Sequence, residues 1–315
     1  MRNLLLIVLI SFFYVNDFYS QNFERTDSIV LTYPKSFRNP KELAKRISND
    51  FNTELEKVRA VYTWIAENIM YDRKEYGIYN YTYTSEKDRE LKRKTYYKKL
   101  SKRVISKGKA VCEGYSILFL KTCDFLNIKA TFVNGLGKIR YLEIGNTFDT
   151  SRHSWNIVEI DNEKFLLDVT WAEGSLKLNK FRFEYNFLTP PDLFIKNHYP
   201  YDFQNSLLKN KFSKFYFINS PLFYMNENIN KTKLVYPLTG TLKKAENKTQ
   251  KFIFETSEVI YSIHYTLGYS GRAYEIKDFH QNGKQLEFQL DFNKMDKGKY
   301  TIIFNYKLVV TYNII

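Results

Sequence analysis

The stretch Gly108-Lys109-Ala110-Val111-Cys112-Glu113-Gly114-Tyr115 sets a cysteine where a glycine-containing loop runs into a mostly apolar segment. Ile117, Leu118, Leu120 and Phe125 carry that segment, 111–126, and predict a helix. A thiol at a helix start faces the positive end of the helix dipole, an environment that favours the thiolate. Downstream, two strand-like runs, 154–160 and 164–169, flank Asp161-Asn162, a hairpin turn signal. With the turn centred there, opposed positions sum to about 323. His153 then lies opposite residue 170, within two places of Asp168 and on the same side of the pleat. Asp168 can therefore accept from one imidazole nitrogen while the other faces Cys112. Alone, a buried cysteine is usually an inert core residue, and a strand-end aspartate is often a turn cap. Together the three stand as nucleophile, base and orienter, the arrangement that covalent acyl transfer requires.

Two helices precede this unit. Asn39-Pro40 reads as N-cap and first helical residue, followed by Leu43, Ile47 and Phe51 at four-residue spacing. Thr53 with Glu56 reads as a capping box, ahead of Val58, Val61, Tyr62, Ile65 and Ile69. Between 85 and 109 eleven Lys and Arg face only Glu86, Asp88 and Glu90, a net of +8. This segment predicts a helix capped by Ser85 with Asp88, with Tyr96, Tyr97, Leu100, Val104 and Ile105 on its apolar side. It is either a solvated face or a patch for an anionic surface or polymer. After about residue 234 the helical period stops, and 252–254, 259–262, 274–276, 286–290 and 300–306 read as short strands. Asn282-Gly283 and Lys297-Gly298 mark turns between them, which implies a small β-sandwich.

A chain of 315 residues, 44% hydrophobic and 26% charged, is neither wholly disordered nor fibrous. Two cysteines exclude a disulfide-rich scaffold. Cys123 follows Cys112 by eleven residues on the same expected helix, a rise of ~16 Å that no disulfide spans. Cys123 therefore reads as a small core residue. Four histidines scattered at 153, 198, 264 and 280 predict no dense metal cluster, and neither metal nor cofactor is expected. His198 reads as structural. The formal charge of +14 favours anionic partners, with no specific nucleic acid expected.

Four pieces carry a resemblance. They are Tyr62-Thr-Trp64-Ile-Ala-Glu-Asn-Ile69 with Tyr71-Asp72, the Val111-to-Tyr115 helix start, His153-Ser-Trp155-Asn156, and Asp168-Val-Thr-Trp171. Over roughly 40–175 the chain resembles the transglutaminase-like superfamily, the papain-type fold with a Cys-His-Asp triad. The run Asn186-Phe-Leu-Thr-Pro-Pro-Asp-Leu-Phe-Ile195, with His198 and Pro200, resembles the kyphoscoliosis-peptidase branch. Phe203-Gln204-Asn-Ser-Leu207-Leu208 departs from that branch's Trp-Gln-Leu-Leu-like run. The resemblance implies Cys112 as nucleophile, His153 as base and Asp168 as orienter.

The expected fold class is α+β: a papain/transglutaminase-like core followed by a C-terminal β-sandwich, immunoglobulin-like. The expected division is a signal peptide at 1–20, a catalytic domain at 21–205, a linker at 206–233 and the sandwich at 234–315. Arg2 followed by a twelve-residue apolar run from Leu4 to Val15 is too short to span a bilayer and reads as an export signal cut after Ser20. The Cys112 N–H, at a helix start, is expected as an oxyanion donor. Trp155, Trp171 and Tyr115 are expected to line the acyl site and bind substrate. The expected function is a secreted cysteine enzyme acting on peptide or side-chain amides through a thioester, hydrolase rather than crosslinking transferase. The alternative is a non-catalytic envelope or surface binding protein that keeps the fold.

Overall fold

The computed structural model describes residues 23–78, 82–146, 151–227, 229–244, 249–268, 272–292 and 296–315. The expected export signal lies outside them. Three early helices are α1 (Glu24–Val30), α2 (Pro40–Asp50) and α3 (Glu54–Asn68). Their starts follow local chemistry. The Asn39 side chain accepts from the Glu42 N–H at 3.2 Å, ahead of Pro40 at the first helical position. Thr53 and Glu56 form a reciprocal capping box. The basic segment is one long helix, α4 (Glu86–Lys107), with the Ser85 hydroxyl accepting from the Asp88 N–H. It stops at Gly108, whose φ of +66° is the left-handed cap that glycine adopts without strain.

Strands β1 (Met70–Tyr71) and β2 (Lys109–Ala110) pair in parallel and deliver the chain to α5 (Cys112–Phe125). Helix α5 is the pivot of the domain. It packs against α2, α3 and α4, and against strands β3 (Ala130–Gly137) and β4 (Ser151–Ile160). Tyr115, Ile117, Leu118, Phe119 and Cys123 on α5 are all fully buried. The sheet runs β5-β4-β3-β6, with β5 at Glu163–Leu167 and β6 at His198–Pro200, and every pairing is antiparallel. The β4–β5 register pairs Asn156 with Leu167 through Ile160 with Glu163, the register that the turn position implies. Asp161 and Asn162 take φ of +51° and +67° at the turn, where short polar side chains tolerate the left-handed region.

The C-terminal part is two facing sheets with a separate aromatic core of Phe252, Phe254, Phe288, Tyr300, Phe304 and Tyr312. Two expectations are corrected. The run 259–262 is not a strand; the backbone of Tyr261 and Ser262 is held by the Asn305 side chain, and the strand begins at Ile263. The segment 206–233 is not a simple linker. It contains the helix α6 (Lys214–Asn219), and the sheets already begin at strand β7 (Leu222–Phe223), which pairs with the last strand, Lys307–Ile314. Phe217 and Ile218 pack on Leu136 of β3. Fully buried Lys138 directs its ammonium at the carbonyls of Phe217 and Ser220, the latter at 2.9 Å. Burial lowers its pKa to about 7, partly offset by Glu143. Among the described residues no helix is long and apolar enough to cross a membrane.

Candidate active site

Helix α5 places Cys112 at its first position, half-buried and free of any disulfide. No side chain caps this helix start. The Cys112 N–H has no intrahelical partner there, as for any first helical residue. His153 stands on β4 opposite Gly135 of β3. The β4–β5 ladder ends at Leu167, and the next residue, Asp168, turns its N–H to the Asn186 carbonyl at 2.9 Å instead. Its carboxylate then lies 2.6 Å from His153 Nε2. The remaining ring nitrogen of His153 is Nδ1, and Cys112 lies near enough to help raise the pKa of the ring. The structure thus brings Cys112, His153 and Asp168 together.

Glycines make this fit possible. A Cβ on Gly137 would sit 3.1 Å from both His153 Cβ and Trp171 Cζ2. A Cβ on Gly135 would meet the Tyr199 carbonyl at 2.2 Å and the Trp155 ring at 2.4 Å. Bare backbone on β3 leaves room for Trp171 to stack on the His153 ring at 4.7 Å and 17°.

The three aromatic residues expected at the acyl site divide. Trp171 is partly exposed and lies on the imidazole. Trp155 and Tyr115 are buried and are corrected to packing roles. Tyr115 donates its hydroxyl to the Ile69 carbonyl at 2.6 Å, and Trp155 packs on Phe194. Tyr71, which the sequence offered only as part of the resemblance, is 42% exposed. Burial and the nearby Cys112 push its hydroxyl pKa up.

His198 is the second addition. It belongs to β6, thirty residues from Asp168, and its Nε2 lies 3.0 Å from the same Asp168 oxygen that binds His153. Scattered in sequence, two of the four histidines meet here. Among the described residues, His153, Asp168 and His198 are the one group spaced to hold a metal ion. Each Nε2 is already committed to the Asp168 carboxylate, which is the pattern of a hydrogen-bonded array. Only the Phe194–His198 four-residue spacing, within a local turn, could have hinted at its fixed ring.

The charges are set by opposing effects. Burial disfavours charge on His153, but the Asp168 carboxylate and Cys112 outweigh it and push the pKa up to about 10. Burial also works against the Asp168 carboxylate, yet His153 and His198 hold it well below the usual carboxylate range. For His198 burial wins over Asp168, and its pKa falls to about 4. At neutral pH the array is therefore Asp168 carboxylate, His153 imidazolium and neutral His198. Cys123, fully buried, has its thiol pKa pushed well up by burial.

A half-buried thiol at a helix start thus stands beside an imidazole that a buried carboxylate holds. Residues 39–186 match the family described as a transglutaminase-like domain. Kyphoscoliosis peptidase of Mus musculus is 29% identical over 260 residues, 80% of this chain and 34% of that protein. Kyphoscoliosis peptidase of Homo sapiens is 31% identical over 214 residues, 66% of this chain and 30% of that protein. The chain thus spans about a third of the length of these curated relatives. A solved structure of a TGase aligns at 19% identity and a TM-score of 0.28, over 42% of this chain and 32% of that one.

Proposed function

We propose that this chain is an exported cysteine enzyme that cleaves peptide or side-chain amide bonds, with Cys112, His153 and Asp168 as its catalytic residues. The observation that carries the reading is His153 held by Asp168 at 2.6 Å beside Cys112, the first residue of α5. The Cys112 thiolate attacks the amide carbonyl carbon. The oxyanion is stabilised at the helix start, where the Cys112 N–H is available. His153 gives its proton to the leaving nitrogen, the C–N bond breaks and a thioester remains. Water, deprotonated by His153, then attacks the thioester carbon, and the C–S bond breaks to release acid and thiolate. The high pKa of His153 suits the first proton delivery. Trp171 closes one face of the imidazole and limits it to in-plane exchange with Cys112 and Asp168.

Water is favoured over lysine as acceptor. The chain carries +14, and Lys98, Lys99, Lys102 and Lys107 stand exposed on α4, the helix that leads into the cysteine loop. A cationic lysine acceptor approaching along α4 meets like charge, an effect that salt screens beyond ~8–10 Å. The same lysines suit an anionic surface or polymer. Export rests on the first twenty residues, an n-region arginine and a short apolar run.

The test is a peptide-library cleavage screen run beside incubation with a glutamine-rich protein and a biotinylated primary amine, each with a Cys112→Ala control. Cleavage that vanishes in the variant is expected. Cys112-dependent biotin incorporation without cleavage overturns the hydrolase reading, and no Cys112-dependent product in either arm overturns the enzyme reading.

A further inference from the structure

We infer that His198 is a positioning residue of this site: it shares the Asp168 Oδ2 with His153 and fixes the carboxylate that orients the imidazole. The inference rests on the acyl-transfer reading above. A carboxylate offers about four acceptor directions. In Asp168 all four are used: Oδ1 accepts from the Thr170 N–H at 2.9 Å and the Trp171 N–H at 3.1 Å, and Oδ2 from His153 at 2.6 Å and His198 at 3.0 Å. The two backbone donors lie two and three residues along the same chain, so they brace only one edge of the group. His198 braces the other edge from a separate strand, β6, which pairs with β3 at Gly137. Without it, Oδ2 answers to His153 alone, and the carboxylate can follow the imidazole instead of fixing it.

His198 is itself immobilised. Its ring stacks on Phe194 at 3.7 Å and 13°, lies 4.0 Å from Trp171, and meets Trp155 edge-on at 5.1 Å. Its Nδ1 lies 3.3 Å from the Phe194 carbonyl and its Nε2 3.0 Å from Asp168; the neutral ring has one N–H, and the charged carboxylate is the stronger acceptor, which places that proton on Nε2. The residue is 1% exposed, so substrate does not touch it. Trp171 contacts both imidazoles, which makes the two histidines, the tryptophan and the aspartate one packed block.

The experiment compares His198→Phe, which keeps an aromatic ring on Phe194 and removes the donor, with His198→Gln, which returns an amide N–H near the Nε2 position. Two readouts need no substrate: the rate of Cys112 alkylation by iodoacetamide against pH, and the titration of the His153 ring by NMR. A hydrogen bond to a charged group is worth enough for a loss of about ten-fold or more. His198→Phe is expected to slow alkylation by that factor near neutral pH and to lower the pH at which His153 titrates, with His198→Gln recovering most of both. If His198→Phe does not fold, His198→Met carries the same comparison. Wild-type behaviour in the donor-less variant, or equal loss in both variants, overturns the inference. A wild-type Cys112 no more reactive than a free thiol counts against the acyl-transfer reading alone, because the His153 titration still reports what His198 does.

Discussion

Asp168→Asn keeps the shape of the side chain and removes its charge. In the folded protein the His153 pKa rises from 6.5 to about 10, roughly 3.5 pH units or on the order of 5 kcal/mol in favour of the imidazolium. One opposite charge at contact distance accounts for roughly 1–3 of those pH units, about 1.4–4 kcal/mol. Because the folded pKa of His153 is raised, its contribution to stability is fully present below pH 6.5 and is lost as pH rises through about 10. The folded pKa of Asp168 is depressed, so its contribution is present above the ordinary carboxyl value of 3.8 and is lost only as pH falls through the folded value. Lys138 and Lys196, lowered by burial to about 7 and about 8, act with the opposite sign in the alkaline range. The quantity to measure is therefore wild type minus variant. Urea unfolding between pH 5 and pH 10 should show this difference shrinking by about 1.4–4 kcal/mol above pH 6.5. In parallel the His153 ring should titrate at a lower pH in the variant. A difference that stays constant with pH, together with an unmoved His153 titration, refutes the coupling.

Arg59 is fully buried and bonded to Asp27 at 2.7 and 2.9 Å and to Glu184 at 2.6 and 2.7 Å, joining α1, α3 and the 180–185 helix. Arg59→Leu strands a buried carboxylate and should cost about 3–5 kcal/mol in urea unfolding; a loss under about 1 kcal/mol contradicts this account. On α4 the acids lie in the first turns and pair with Arg89, Lys92 and Lys94, leaving Lys98 and Lys102 exposed on one face. Lys98→Glu with Lys102→Glu should elute from a polyanion column at clearly lower salt than Lys277→Glu with Lys284→Glu, which changes the charge equally on the sandwich; equal elution removes the case for a local anion-binding face.

The parts that could be read from sequence are those governed by local chemistry. Asn39, Thr53 with Glu56, and Ser85 announce three helix starts, because capping depends on side chains within three or four positions. The Asp161-Asn162 turn carries the β4–β5 register and with it the approach of His153 to Asp168. What stayed hidden depends on distant partners. His198 reaches Asp168 only because β6 adds to β3. Lys138 reads as surface by composition and is buried, because the carbonyls that hold it arrive some eighty residues later. Tyr115 follows Cys112 closely, yet three residues along a helix turns it inward, onto the Ile69 carbonyl. The turn at Asn305-Tyr306 has positive φ without a glycine, so the usual composition cue is missing.

The buried Lys138 gives the molecule a short load path. Its backbone N–H bonds to the Asn197 carbonyl, next to His198, and its ammonium grips the end of α6, from which the chain enters the first sandwich strand, β7. On its other side it directly follows Gly137, which faces His153 and Trp171. Lys138 is thus one of the links between the sandwich side and β3, the strand beside the one that carries His153. The C-terminal sheets are thereby joined, through a buried ammonium and a single glycine, to the backbone that packs on His153 and Trp171.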